Sequence, residues 1–285
     1  MKVFLLLNSS KNFGHSEGRL NNTLHETAKQ FLIQNKCVVM ETLIDKGYNI
    51  EHEVQKILCS DVIIHQMPAW WMSYPWILKK WIDEVFTNGR GKLYENDGRT
   101  SKNPKLNYGK GGLLQGKQYM FSMTWNAPQD AFLQETDFFE GKGIDGVLLH
   151  LHKAHQFIGM SALPTFMCND VMKVPNVEKN IVDYKEHLKK ILSSLNSHNI
   201  AQVECCQSCG LPFDDNHSNF IDSKTDGSKS IYCTFCCKEG KFVQPNATVE
   251  DMMDIGVFHL SKKIGESSAK QYMSSLIPNL KRWNK

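Results

Sequence analysis

No apolar run in this sequence is long enough to cross a bilayer. The N-terminal run Val3–Leu7 is also too short for the core of a signal peptide, and Asn8 and Ser9 end it. The chain has little excess of charge: 33 Lys+Arg against 30 Asp+Glu leave a formal net charge of +3. From residue 200 onward the balance is zero, ten of each sign, and zinc on four thiolates would lower it by two. The basic face that nucleic acid or an anionic membrane requires is therefore missing. There is no G-x-G-x-x-G fingerprint, no G-x-S-x-G elbow and no P-loop. Their absence argues against a Rossmann dinucleotide site, a serine hydrolase and a P-loop nucleotidase. No internal repeat or low-complexity tract is visible. These absences predict a cytoplasmic protein that opens on its first strand, binds no nucleic acid and inserts in no membrane.

Cysteine is present in quantity, and it is clustered. Six of the nine cysteines lie between Cys205 and Cys237. Two Cys-x-x-Cys pairs, Cys206/Cys209 and Cys233/Cys236, are separated by 23 residues. Four thiolates in two such knuckles can close a tetrahedral shell around zinc, and clustering of this kind suits a metal site better than a disulfide framework. Cys205 and Cys237 are adjacent alternatives for a ligand position. A module of this size has little core, so the metal is expected to be structural and to supply folding energy. The cluster divides the chain into a larger domain over 1–195, a polar linker over 196–203 and a zinc-ribbon module over 204–285.

The larger part alternates strand and helix patterns. Apolar runs predict strands at Lys2–Leu7, Cys37–Leu43, Asp61–Gln66, Gln118–Trp125 and Ala162–Cys168. Helical patterns fall at Arg19–Asn35, Ile50–Leu58, Pro75–Phe86, Ile144–Phe157 and Val177–Leu195. Between residues 87 and 117 a glycine-rich excursion intervenes, of a length that is more often functional than not. Such alternation implies an α/β fold: a doubly wound, five-stranded parallel sheet in the flavodoxin-like order 2-1-3-4-5.

Ligands of such sheets bind beyond the carboxyl ends of the strands. Three loops fall there. The first, Asn8–Gly18, offers hydroxyls, amides, Lys11 and His15 before a helix N-terminus, a combination that binds phosphate; the alternative is a plain strand-to-helix turn. The second, Gln66–Trp76, holds Trp70, Trp71, Tyr74 and Trp76 and suits a flat ring system; the alternative is packing in the core or a dimer interface. The third, Met123–Pro128, offers Thr124 and Asn126 to a heteroaromatic edge, or is a simple turn. Together they outline a flavin nucleotide crevice. His150, His152 and His155 lack an acidic motif nearby and read as surface or core residues.

At these residues the first 195 positions resemble the NAD(P)H:quinone reductase family. The matching stretches include His15-Ser16, Leu20-Asn21, Gln66–Met72, Trp81–Phe86, Asp97–Thr100, Gly111–Lys117, Thr124–Pro128 and Leu163–Phe166. The resemblance implies non-covalent FAD in a homodimer with its sites at the subunit interface. It implies an FAD-dependent NAD(P)H:quinone oxidoreductase passing two electrons as hydride from NADPH or NADH to a quinone or similar flat acceptor. By position, His15, Ser16, Glu17, Gly18, Leu20, Asn21 and Thr23 would hold the pyrophosphate. Pro68, Ala69, Trp70, Trp71 and Met72, with Thr124, Trp125, Asn126 and Ala127, would hold the isoalloxazine, and Tyr108 would line the site. The Tyr-and-His pair that mammalian members place near the flavin is not matched at His152 or His155. The tail resembles a zinc-ribbon family through Cys206–Pro212, Thr225–Lys229, Tyr232–Cys236 and Thr248–Met253. A flavin and zinc regulatory protein that senses redox state or metal is the alternative reading.

Overall fold

The chain's structure, a computed structural model, describes residues 1–14, 16–197, 205–213, 220–223 and 229–284. The first strand, β1 (Val3–Asn8), is apolar along almost its whole length because it is covered on both faces. Successive side chains point to opposite faces of a strand. Leu5 and Leu7 accordingly join one core with Ile63, Tyr119, Phe121 and Met123, while Phe4 and Leu6 join another with Val62, Ile64 and Met120.

Around β1 the sheet is parallel throughout, in the order β2-β1-β3-β4-β5 expected from the sequence, with β2 (Val38–Leu43), β3 (Val62–Pro68) and β4 (Gln118–Thr124). The fifth strand is not the continuous Ala162–Cys168 of the sequence reading. It divides into β5 (Ser161–Ala162) and β6 (Phe166–Cys168), both paired with β4. Pro164 has no N–H to offer the ladder, and the break falls on it.

Helices α1 (Arg19–Gln34) and α7 (Val177–Ser197) cover one face; α2 (Ile50–Cys59), α3 (Trp76–Asn88) and α6 (Leu149–Phe157) cover the other. The helix predicted over Ile144–Phe157 is interrupted at Leu148, so that α5 (Gly143–Val147) precedes α6; a four-residue helix, α4 (Asp130–Leu133), lies just after β4. Helix α7 runs two residues into the expected linker, because Asn196 and Ser197 complete its last turn; residues 198–203 lie outside the described residues. The excursion before β4 is pinned by buried Leu93 and Leu114 and by close backbone approach at Gly112, where a Cβ would fall 2.2 Å from the Gly159 nitrogen.

The tail forms two short antiparallel pairs, β7 (Ile221–Ser223) with β8 (Lys229–Cys233) and β9 (Cys237–Lys238) with β10 (Lys241–Phe242). Helices α8 (Val249–Ile264) and α9 (Glu266–Leu276) follow. The acid three residues beyond Thr248 closes a capping box: Asp251 N–H donates to the Thr248 hydroxyl, and the Asp251 carboxylate accepts from Thr248 N–H. The two helices are not held apart from the sheet. Ile264 and Ala269 belong to the same core as Val54 and Ile57 of α2, and Val38 of β2 packs among the tail's own apolar residues.

Candidate functional site

In the order 2-1-3 the chain leaves β1 toward one side and returns as β3 on the other, which opens a crevice at their carboxyl ends. Asn8, the last residue of β1, shapes the first loop: its Oδ1 accepts from Ser10 N–H at 2.9 Å and its Nδ2 donates to Asn22 Oδ1 at 2.9 Å. The Ser10 hydroxyl donates to the same Asn22 oxygen at 2.8 Å. This draws the loop onto the first turn of α1. Gly18, just before the helix, is left-handed with φ 68°, and a Cβ there would approach Ser10 Cβ to 3.1 Å. Among the described residues no side chain caps α1 and its first turn has no acid, so its leading N–H groups and positive dipole end keep their capacity for an anion.

Three buried side chains tie the loops together. Gln66 Nε2 donates to Asn21 Oδ1 at 2.8 Å, and Asn21 Nδ2 donates to Thr124 Oγ1 at 2.9 Å. Helix α1 and the ends of β3 and β4 are thus fixed relative to one another. The other Gln66 amide atom, Oε1, is buried with no hydrogen-bond partner among the described residues.

The loop after β3 is a tight hairpin in which Trp70 and Ser73 exchange backbone hydrogen bonds of 2.8 and 3.1 Å. Its two central residues, Trp71 and Met72, are left-handed with φ of 44° and 63°. Bulky side chains seldom adopt that conformation, and such strain concentrates at functional sites. The turn leaves Trp71 95% exposed. Phe13 of the first loop lies 5.0 Å, ring to ring, from Trp70, so the phosphate-type and aromatic loops touch. Tyr74 stacks on His150, whose Nε2 lies 3.3 Å from Ser73 Oγ.

A second histidine group is buried beneath. His155 Nδ1 lies 2.9 Å from the Leu151 carbonyl, so Nδ1 carries the proton and Nε2 accepts from His65 Nε2 at 2.8 Å. Tyr119 and His152 are joined at 2.8 Å, and His152 reaches Asp145 at 3.2 Å. Tyr119 is the second residue of β4, about 16 Å along the strand from the carboxyl-end loops. This pair therefore braces α6 against the sheet.

In the tail, the sulfurs of Cys206, Cys209, Cys233 and Cys236 all lie within 4.8 Å of one another, with Cys209 and Cys233 at 3.7 Å. Zinc bound at about 2.3 Å by tetrahedral thiolates separates the sulfurs by about 3.8 Å, so the group fits the ion. Cys206 accepts from Cys233 N–H at 3.2 Å, and hydrogen bonds from the other three thiols favour its thiolate. Cys205 and Cys237 are not in the group.

Comparison with known proteins agrees with this division. The flavodoxin-like fold family matches residues 1–192, and a zinc ribbon domain family matches residues 205–284. The NADPH:quinone oxidoreductase MdaB of Haemophilus influenzae is 57% identical over 187 residues, 66% of this chain and 97% of that protein. This chain belongs to the NAD(P)H:quinone oxidoreductase family of the flavodoxin-like fold. An uncharacterized protein of Schizosaccharomyces pombe is 55% identical over 197 residues, 69% of this chain and all of that protein. The solved structure of a Klebsiella pneumoniae protein named as a quinone reductase shares the fold, with a TM-score of 0.52 at 22% identity over 68% of this chain and 85% of that one.

Within this quinone oxidoreductase fold the expected residues are sorted by what they touch. Ser16, Gly18, Ala69, Trp70, Trp71 and Met72 gather at the crevice. His15 lies outside the described residues. Glu17 pairs with Arg19, which holds its carboxyl below the usual range. The exposed Thr23 hydroxyl donates to the Arg19 carbonyl within the helix. Leu20 packs against the core under α1, and Pro68 is buried at the end of β3. Thr124 accepts from Asn21 Nδ2 and keeps its own O–H to donate. Trp125 is buried against Phe132 and Phe139 at 5.1 and 5.4 Å. The Asn126 side-chain oxygen accepts from Met172 N–H at 3.2 Å, and the Ala127 carbonyl accepts from Asp170 N–H at 3.1 Å. Tyr108 is exposed beneath Arg99, whose guanidinium lies 5.4 Å from the ring. Sequence reading missed Phe13 and Asn22; a lone aromatic in a polar loop and the second Asn of Leu20-Asn21-Asn22 were their only signals.

Proposed function

We propose that this chain is an FAD-dependent NAD(P)H:quinone oxidoreductase that works as a homodimer and carries one structural zinc. The observation that supports it best is the meeting of a bare, left-handed-glycine helix N-terminus with an exposed aromatic hairpin at one crevice. When bound, FAD supplies the ring that accepts hydride from NADPH or NADH and returns it to a flat acceptor such as a quinone. The N–H groups opening α1, with Ser16, receive the pyrophosphate, whose charge the helix dipole favours. Trp70, Trp71 and the Ala69–Met72 backbone shelter the ring from water. The Asn126–Ala127 backbone lines its edge and orients it, the protein's usual share of flavin chemistry. Trp71, Trp76 and Tyr108, all exposed, supply the apolar surface for a second copy. Among the described residues no helix is long and apolar enough to cross a membrane. Cys206, Cys209, Cys233 and Cys236 hold the zinc.

The test is an anaerobic absorbance spectrum. The purified protein should be yellow, bleach with NADPH and recover with menadione, and heating should release FAD rather than FMN. A colourless chain that neither takes up FAD nor oxidises NADPH would overturn the reading. Light scattering at twice the 32.6 kDa chain mass checks the dimer.

A further inference from the structure

We propose that the four-cysteine module positions the phosphate end of the flavin site, acting on α1 through Gln271 and Glu41. This rests on the flavin reading above. The contacts run from the four cysteines through α9 and β2 to α1.

The first knuckle is bound to the end of the chain: Trp283 Nε1 donates to the Ser208 carbonyl at 2.7 Å and Arg282 Nη1 to the Ser208 hydroxyl at 3.0 Å. Left-handed Gly210 packs so closely on α9 that a Cβ would lie 2.5 Å from Leu276 Cδ2. Cys206, Cys233 and Cys236 share one apolar cluster with Met273, Leu276 and Val38. The seat of α9 on β2 is therefore built on the knuckles. In a module with so small a core the bound metal supplies the folding energy that holds them.

Strand β2 is the edge of the parallel sheet, and edge N–H groups need a partner. Gln271 of α9 supplies one with both ends of its amide. Its Oε1 accepts from the Glu41 N–H at 3.0 Å, and its Nε2 donates to Glu41 Oε1 at 2.7 Å. The same Glu41 carboxylate reaches His25 Nε2 and Lys29 Nζ of α1, each at 2.9 Å. His25 is 5% exposed, so this contact is shielded from water and from salt. Asn21, His25 and Lys29 are four residues apart and share one face of α1. Asn21 is the residue that joins α1 to Gln66 and Thr124 at the crevice. Gln271 and Glu41 are thus positioning residues: they touch no ligand, and they set where the N-terminus of α1 stands.

The test uses the full chain stripped of flavin and titrated with FAD, following the quenching of FAD fluorescence. Three samples are compared: zinc-loaded wild type, wild type after chelation, and zinc-loaded Gln271→Ala. FAD should bind on the order of tenfold more weakly to the last two, the usual scale of coupling between sites. Turnover at saturating FAD should be unchanged in Gln271→Ala, and added zinc should rescue the chelated wild type only. Hydrogen exchange should quicken over residues 38–43 and 19–34 in both weakened samples. Equal FAD affinity in all three samples would overturn the proposal. So would unchanged exchange over those residues when chelation has already exposed 205–213 and 229–243. A chain that binds no FAD in any state refutes the flavin reading instead, and the exchange arm then decides by itself whether the module holds α1.

Discussion

Asn21 and Trp71 show two ways a residue can serve one crevice. Asn21 is buried and joins Gln66 to Thr124, so its removal leaves a buried amide without a partner. Asn21→Ala should cost about 1–3 kcal/mol in denaturant unfolding and weaken flavin binding as well. Trp71 touches solvent almost everywhere. Trp71→Ala should change stability by less than about 0.5 kcal/mol, yet reduce NADPH:menadione turnover or flavin affinity. A large loss of stability with unchanged turnover would make Trp71 a packing residue. The contrast was only partly legible in the sequence. Residues 66–72 announced an aromatic loop, but nothing local distinguishes Trp71, lifted out by two left-handed residues, from Trp125, folded into an aromatic cluster with Phe132 and Phe139.

Helix α6 carries its own pH dependence. Burial pushes the His155 pKa from the ordinary 6.5 down to about 4, and His65 well below its ordinary value. Groups depressed by folding bind protons more readily in the unfolded chain, so their contribution is complete above about pH 6.5 and is lost as pH falls toward 4. The thermal midpoint should decline through that window. His155→Asn, which retains a short polar side chain without the imidazole, should flatten the decline; an identical slope would show that the pair does not govern it. Glu41 acts lower: the His25 hydrogen bond, with Lys29, draws its carboxyl to about 2, so its contribution is lost only as pH falls from the usual carboxylate range toward that value. At this scale the helix was readable from its apolar spacing, whereas the pairing of His155 with His65 was not, since 90 residues separate them.

The whole molecule is a parallel sheet whose β2 edge is covered by the chain's own tail. Two relatives match this chain over 97% and 100% of their own length but over only 66% and 69% of this chain; here α8 and α9 are built into the packing of the sheet domain. Elemental analysis should find one zinc per chain. Cys206→Ser with Cys233→Ser should abolish it and lower the midpoint of unfolding, and an unaffected midpoint would show the ribbon to be a passenger. By itself the sequence determined the alternation of strands and helices, the two Cys-x-x-Cys knuckles and the three loops that follow the strands, because apolar periodicity, ligand spacing and turn chemistry are local. Only the tertiary structure decided which of those loop residues face the crevice and which brace it. It alone revealed that Gln271 and Glu41, 230 residues apart, meet at the sheet edge. Contacts between distant segments are set by how finished elements pack, and no local pattern encodes them.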